Sequence, residues 1–177
     1  MSNFSFLKSE DGVLEILGHN PERFNPTAEL INNILRGESE LSISERELIF
    51  AYVSACNSCS FCMGAHQEIA QEFGLALGVL DELVNSGEHK SIDAKLKPCL
   101  ALAKKVAKES SRVVKEDVSA IINAGWQEET AHDVVSIAAL ATFYNLLVNA
   151  HGVSGTPDYF KMCAKMFGAK GGYIPPA

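Results

Sequence analysis

Nowhere in this chain does an uninterrupted apolar run reach the ~18 residues that mark a membrane span. The first ten residues, Met1 to Glu10, carry no basic stretch followed by an apolar core. A secretory leader and a membrane partner are therefore not expected, and a cytoplasmic location is. Basic charge is short as well: 15 Lys and Arg against 22 Asp and Glu leave a net charge of −7. Nucleic acid and anionic membrane surfaces select clustered Lys and Arg, so neither is an expected partner. The densest basic stretch, Lys95 to Lys108, is interleaved with Leu and Ala and reads as the solvated face of a helix. Convincing strand alternation and short-period repeats are missing too. Finally, the five cysteines are not the even, dispersed set of a secreted scaffold, since three fall within seven residues. Such clustering in a cytosolic setting points to redox catalysis or metal binding.

What the chain does have is helical punctuation. Its 177 residues are most simply one domain. Residues 1–24 read as a lead-in ending near Pro21 and Pro26, a helical domain spans 25–167, and 168–177 is a Gly- and Pro-rich tail expected to be flexible. Apolar residues at helical spacing begin at Thr27 and stop at Gly37. A second helix opens at Ser42 or Ser44, because Ser42 with Glu45 and Ser44 with Glu47 both fit a capping box, and it runs to about Cys56. Asn57-Ser58 breaks the chain and starts a helix carrying Cys59 to Phe73. Further helices are expected over about 77–85 with a stop at Gly87, over 92–109 with Pro98 as a kink or late start, over 116–124, from Glu128 to about Ala150, and over 158–167. The expectation is an all-α fold of seven to eight helices without a sheet. The segment from Thr130 to Ala150 is apolar nearly all round, which suits a core helix or a subunit contact.

The chemistry concentrates in Cys59-Ser-Phe-Cys62-Met-Gly-Ala-His66, with Glu47 twelve residues before the first cysteine. At about 100° per residue, Cys62 lies about 60° from Cys59 and His66 about 40° from Cys62, so the three share one helix stripe. Cys59 falls in the first turn, where the helix dipole and unpaired amides favour a thiolate. If Asn57-Ser58 turns an antiparallel hairpin, Glu47 and His66 lie at similar depth on its two arms. A carboxylate there can orient an imidazole and support its charged form. The plainer alternative makes Glu47 the capping partner of Ser44. Cys56, Cys99 and Cys163 sit among apolar neighbours and read as small buried hydrophobes. Tyr144, Asn145 and His151, near the end of the long helix, are placed to line the site or simply to cap the helix. Metal binding is the rival reading for Cys56, Cys59, Cys62 and His66. An iron–sulfur run would continue to a fourth cysteine and a proline, and zinc would normally use two separated pairs. No cofactor is expected.

Glu47, Cys59, Cys62 and His66 stand at the spacings of the alkylhydroperoxidase D family, within the carboxymuconolactone decarboxylase-like group: Glu, eleven residues, Cys, two residues, Cys, three residues, His. The flanking stretch Leu41 to Leu48, and the block Ala124 to Ala131 followed by the apolar helix to Asn149, resemble the family too. The resemblance covers about residues 25–155. It implies an all-helical domain that forms a homo-oligomer, a trimer or a hexamer, and reduces hydroperoxides. Carried onto this chain, it makes Cys62 the peroxidatic thiol and Cys59 the more exposed thiol that resolves it as a disulfide. His66, oriented by Glu47, becomes the proton carrier, and a dithiol protein or small dithiol the reductant. Phe61 stands where some family peroxidases carry a second histidine. The decarboxylase branch of the group lacks the cysteine pair. A general thiol–disulfide oxidoreductase and a redox-switched interaction protein are the functional alternatives.

Overall fold

The computed structural model describes residues 2–86, 90, 92–168 and 172–174. Among them are nine α-helices and no strand: α1 Val13–Gly18, α2 Pro21–Arg36, α3 Ile43–Cys56, α4 Ser60–Glu72, α5 Val79–Ser86, α6 Lys97–Glu109, α7 Lys115–Asn123, α8 Glu128–His151 and α9 Pro157–Phe167. Gly87, the expected stop of α5, lies outside the described residues, as do 169–171 and 175–177 of the expected flexible tail.

Two differences from the sequence reading lie in the lead-in. The short helix α1 was not expected, and α2 starts at Pro21 with Asn20 as its cap, its side chain accepting from the Arg23 amide at 3.1 Å. Pro21 occupies the first turn, where a missing N–H costs nothing. Pro26, read as a boundary, lies inside the helix, held by the buried Ile31 and Leu35. Pro98 behaves as a late start: a 3₁₀ turn over Ala94–Leu96 leads into α6 with the proline in its first turn.

Helices α3 and α4 form the expected hairpin, turning through Asn57 and Ser58, the latter in the left-handed region at φ 54°. Helix α3 is buried on nearly every side, from Arg46 through Ser54. Helix α8 packs across α3 and α6. It is long and apolar enough to cross a membrane by length and composition, yet half of its most apolar stretch is buried inside the protein. Helix α9 lies along α4. The Phe160 ring sits over Gly64, and Gly168 lies beside Glu72, so the two helices run in the same direction. A Cβ on Gly64 would come within 2.4 Å of that ring, and one on Gly155 within 2.4 Å of its other edge. Phe160 is thus clamped between two glycines.

Candidate functional site

Glu47 is not the cap of α3. Ser42 and Glu45 form that capping box, with Ser42 Oγ accepting from the Glu45 amide at 3.2 Å and Glu45 Oε2 accepting from the Ser42 amide at 2.8 Å. Ser44 instead donates to the Ala70 carbonyl of α4. Freed from the cap, Glu47 points inward and is fully buried. Its Oε2 meets His66 Nδ1 at 2.6 Å across the α3–α4 hairpin. Its Oε1 meets Arg36 Nη1 at 2.6 Å and accepts from the Tyr173 hydroxyl at 2.9 Å. Burial alone would raise the Glu47 carboxyl; the charge and hydrogen bond of His66, followed by those of Arg36, outweigh it and hold the carboxyl below its ordinary value. The His66 ring is stacked on Phe50 at 3.6 Å between centroids. With Nδ1 engaged by the carboxylate, Nε2 is the nitrogen left for the cavity beside it.

That cavity measures about 120 Å³ and is walled by apolar side chains from α1, α2, α4, α8 and α9, among them Leu14, Ile31, Phe61, Ile69, Tyr144 and Phe167. Cys62 and His66 open onto it, and Tyr173 borders it. The size is somewhat below the ~150 Å³ of an apolar cavity that admits benzene. A compact organic group fits it; a hydrated ion finds few partners there.

Cys59 does not line this cavity, and it is not the more exposed thiol. Its relative exposure is 0%, against 3% for Cys62. The reason is local: Cys59 is the N-cap residue of α4, and its amide is tied back to the Ser54 carbonyl of α3 at 2.9 Å. The turn therefore folds the side chain inward under α8. No side-chain hydrogen bond closes the cap. The Cys62 thiol, and after it the Cys62 and Phe61 amides and the Asn145 side chain, nonetheless face the Cys59 sulfur and lower its pKa despite burial. Cys62 shifts the opposite way, well above the usual thiol value, because its proton is directed at Cys59 and its sulfur is buried. Negative charge in the reduced pair therefore belongs on Cys59. Both cysteines are free thiols in the structure.

Of the remaining cysteines, Cys99 and Cys163 are buried, and burial pushes each thiol up to about 12. Cys56 departs from the expectation: it is only partly buried and pairs with the Tyr52 hydroxyl rather than with Cys59 and Cys62. Among the described residues, no three His, Cys, Asp or Glu side chains are grouped as metal ligands. Tyr144 and Asn145 reach the site, whereas His151 bonds its own helix at the Leu147 carbonyl and stacks on Phe4.

Two members of the constellation escaped the sequence reading. Arg36 ends α2 and was legible only as a helix-stop residue before Gly37. Its guanidinium, only 5% exposed, also donates to the Leu35 and Phe167 carbonyls and lies 4.9 Å from the Tyr173 ring centroid. Tyr173 comes from the segment expected to be flexible. There its amide bonds Asn32 at 2.9 Å, its ring stacks on Phe167, and its hydroxyl turns in to Glu47. A lone aromatic in a Gly- and Pro-rich tail was the available signal.

Solved structures share this architecture. An uncharacterised peroxidase-related protein from Ralstonia eutropha JMP134, described as an alkylhydroperoxidase AhpD core, superposes with a TM-score of 0.76 at 26% identity, covering 86% of this chain and 80% of its own. The fold is alkylhydroperoxidase D-like. An uncharacterised peroxidase-related protein from Silicibacter sp. TM1040 gives a TM-score of 0.77 at 24% identity over 84% of this chain and 78% of its own. A protein of unknown function from Agrobacterium tumefaciens, whose name proposes an AhpD antioxidant-defence role, gives 0.70 at 17% over 84% and 99%. No protein-family model and no curated protein matches the chain. The alkylhydroperoxidase D-like fold explains why Glu47 and His66 meet: its α3–α4 hairpin brings residues nineteen apart in sequence face to face.

Proposed function

We propose that this protein is a thiol-dependent peroxidase that reduces small organic hydroperoxides in antioxidant defence. The observation that carries the reading is the Cys62 thiol opening onto an apolar cavity beside His66, whose far ring nitrogen is held by the buried Glu47. The peroxidase-related names of the structural neighbours support the same class. In the reaction, the Cys62 proton turns away from Cys59 and passes to His66 while the Cys62 sulfur attacks the terminal oxygen of the hydroperoxide. The O–O bond breaks, leaving Cys62 as a sulfenic acid, and the departing alkoxide takes the proton from His66 to become the alcohol. The Cys59 sulfur, having given up its proton, then attacks the Cys62 sulfur; the S–O bond breaks, and the departing hydroxide takes up that proton, so that the disulfide forms with release of water. Two thiols and one hydroperoxide give one disulfide, one alcohol and one water.

Arg36 has a part in this scheme. Paired with Glu47 at 2.6 Å, it balances the charge of the buried carboxylate. The disulfide is returned to dithiol by an external dithiol. Burial of both sulfurs favours a slender dithiol arm, or a small dithiol, over a broad protein face. The same burial speaks against a general oxidoreductase, whose attacking sulfur must meet protein disulfides at the surface. We also propose that the chain self-associates through the exposed apolar residues Leu30, Phe143 and Leu146 on α2 and α8.

The test is peroxide consumption with a dithiol donor and an organic hydroperoxide, followed by mass mapping of the bonded cysteines. Wild type is expected to turn over and to show a Cys59–Cys62 disulfide, and Cys62→Ser to lose turnover. Unchanged turnover in Cys62→Ser removes the assignment.

A further inference from the structure

Four residues around the thiol pair, Ser54 and Asn57 from the α3–α4 hairpin and Thr142 and Asn145 from α8, form a polar chain whose donor and acceptor directions are over-determined. The Thr142 hydroxyl donates to the Ala138 carbonyl at 2.8 Å, so it accepts from Asn57 Nδ2 at 3.2 Å. The other Asn57 proton reaches Asn145 at 3.1 Å, and the atom it meets must therefore be the acceptor Oδ1. That places Asn145 Nδ2 against Ser54 Oγ at 2.9 Å. Ser54 agrees, because its own proton is donated to the Phe50 carbonyl at 2.9 Å. Flipping Asn145 would set donor against donor at Asn57, and flipping Asn57 would set acceptor against acceptor at Thr142 and Asn145. Asn145 Nδ2 carries two protons and only one of them goes to Ser54. Its side chain is 1% exposed, so the second proton has no route to water. What lies within its reach is sulfur: the Asn145 amide faces both Cys59 and Cys62.

We propose that Asn145 donates this second N–H to the thiol pair and holds negative charge on the Cys59 sulfur, keeping Cys59 ready to attack oxidised Cys62. The assignment gives the α8 residue Asn145 a role at the two sulfurs, which are both carried by the α3–α4 hairpin. It accounts for a fully buried thiol being the one that ionises: the first-turn amides of α4 and the Asn145 amide supply the donors that water supplies elsewhere. The titratable groups around the pair are Cys62 itself, His66 on the same helix, Tyr144 on α8 and Cys163 on α9.

The inference rests on the thiol-pair chemistry proposed above, but its readout is separate from turnover. Thiolate absorbance in the ultraviolet, followed against pH in wild type and Cys59→Ser, isolates the Cys59 titration. In Asn145→Ala the midpoint is expected to rise by about one pH unit. Asn145→Asp keeps the acceptor for Asn57 but sets a carboxylate near the sulfur, and is expected to rise further. A folded variant with an unchanged midpoint overturns the role of Asn145 even if peroxide is still consumed. Absent turnover with a shifted midpoint sinks the peroxidase reading and leaves Asn145 in place. Should neither variant fold, nuclear magnetic resonance of the wild type decides: one of the two Asn145 side-chain amide protons is expected to move when the pair is oxidised. Both staying in place would overturn the inference.

Discussion

At the residue scale, Glu47 is where stability and chemistry meet. A carboxylate with no exposed surface is tolerated because His66, Arg36 and Tyr173 saturate its two oxygens. Removing its charge leaves Arg36 buried without a counter-ion, and breaking one side of a buried pair commonly costs 3–5 kcal/mol. Glu47→Gln is therefore expected to lose about 3 kcal/mol by denaturant unfolding; a loss within error of zero would mean that Arg36 finds another partner. The sign with pH follows from the lowered carboxyl. A group that ionises more easily folded than unfolded stabilises the protein above its ordinary pKa of 4.5, and that stability is lost as pH falls through the folded value. Thermal midpoints measured downward from pH 5 should fall more steeply in wild type than in Glu47→Gln. Parallel curves would show that Glu47 is not the group titrating.

At the scale of elements, the site depends on how α9 seats against α4. The contact is made through Gly64, which has no side chain to hold the Phe160 ring away, and Gly155 closes on the ring from the other side. Because the ring is met at both edges, it has little room to yield to a new methyl group. Gly64→Ala is expected to cost about 1–3 kcal/mol by overpacking, even though alanine favours the helix locally. Equal or raised thermal stability would show that Phe160 can move. Since Cys163 and Phe167 of α9 wall the cavity, a displaced α9 should also change the preference among hydroperoxides of different bulk before it changes the reactivity of Cys62 towards hydrogen peroxide. Identical ratios in Gly64→Ala and wild type would uncouple the two.

At the scale of the whole molecule, apolar surface remains uncovered. Leu146 is 68% exposed on α8, and Phe143 and Leu30 lie on the neighbouring faces of α8 and α2. A groove between those helices is lined by Leu30, Ile34, Ala139, Leu140 and Phe143. An exposed apolar stripe on an otherwise core-type helix is costly in water and is relieved by association. Light scattering on the purified protein should report a homo-oligomer, and Leu146→Glu should shift it towards monomer with the helical content kept. A monomeric wild type at micromolar concentration would reject this proposal.

Local spacing within about a dozen residues was enough to read the order of most helices, the α3–α4 hairpin and the shared stripe of Cys62 and His66, since 3.6 residues per turn sets the period; Cys59, as the N-cap of α4, stands outside that stripe. The same spacing left Glu47 ambiguous between cap and site, because Ser42 and Ser44 offer equally good capping boxes; only burial of the α3 face chose Ser42. It also misjudged which thiol is shielded, because the inward fold of Cys59 comes from a bond to Ser54 across the turn. Arg36 and Tyr173 belong to the tertiary structure, and so do the partners of Asn145, which the sequence offered only as a candidate near the end of the long helix. Tyr173 and Glu47 are 126 residues apart, and Asn145 and Ser54 are 91 apart. No periodic pattern links such distances. They are set by which faces exclude water together, and a side chain's neighbours there come from other helices.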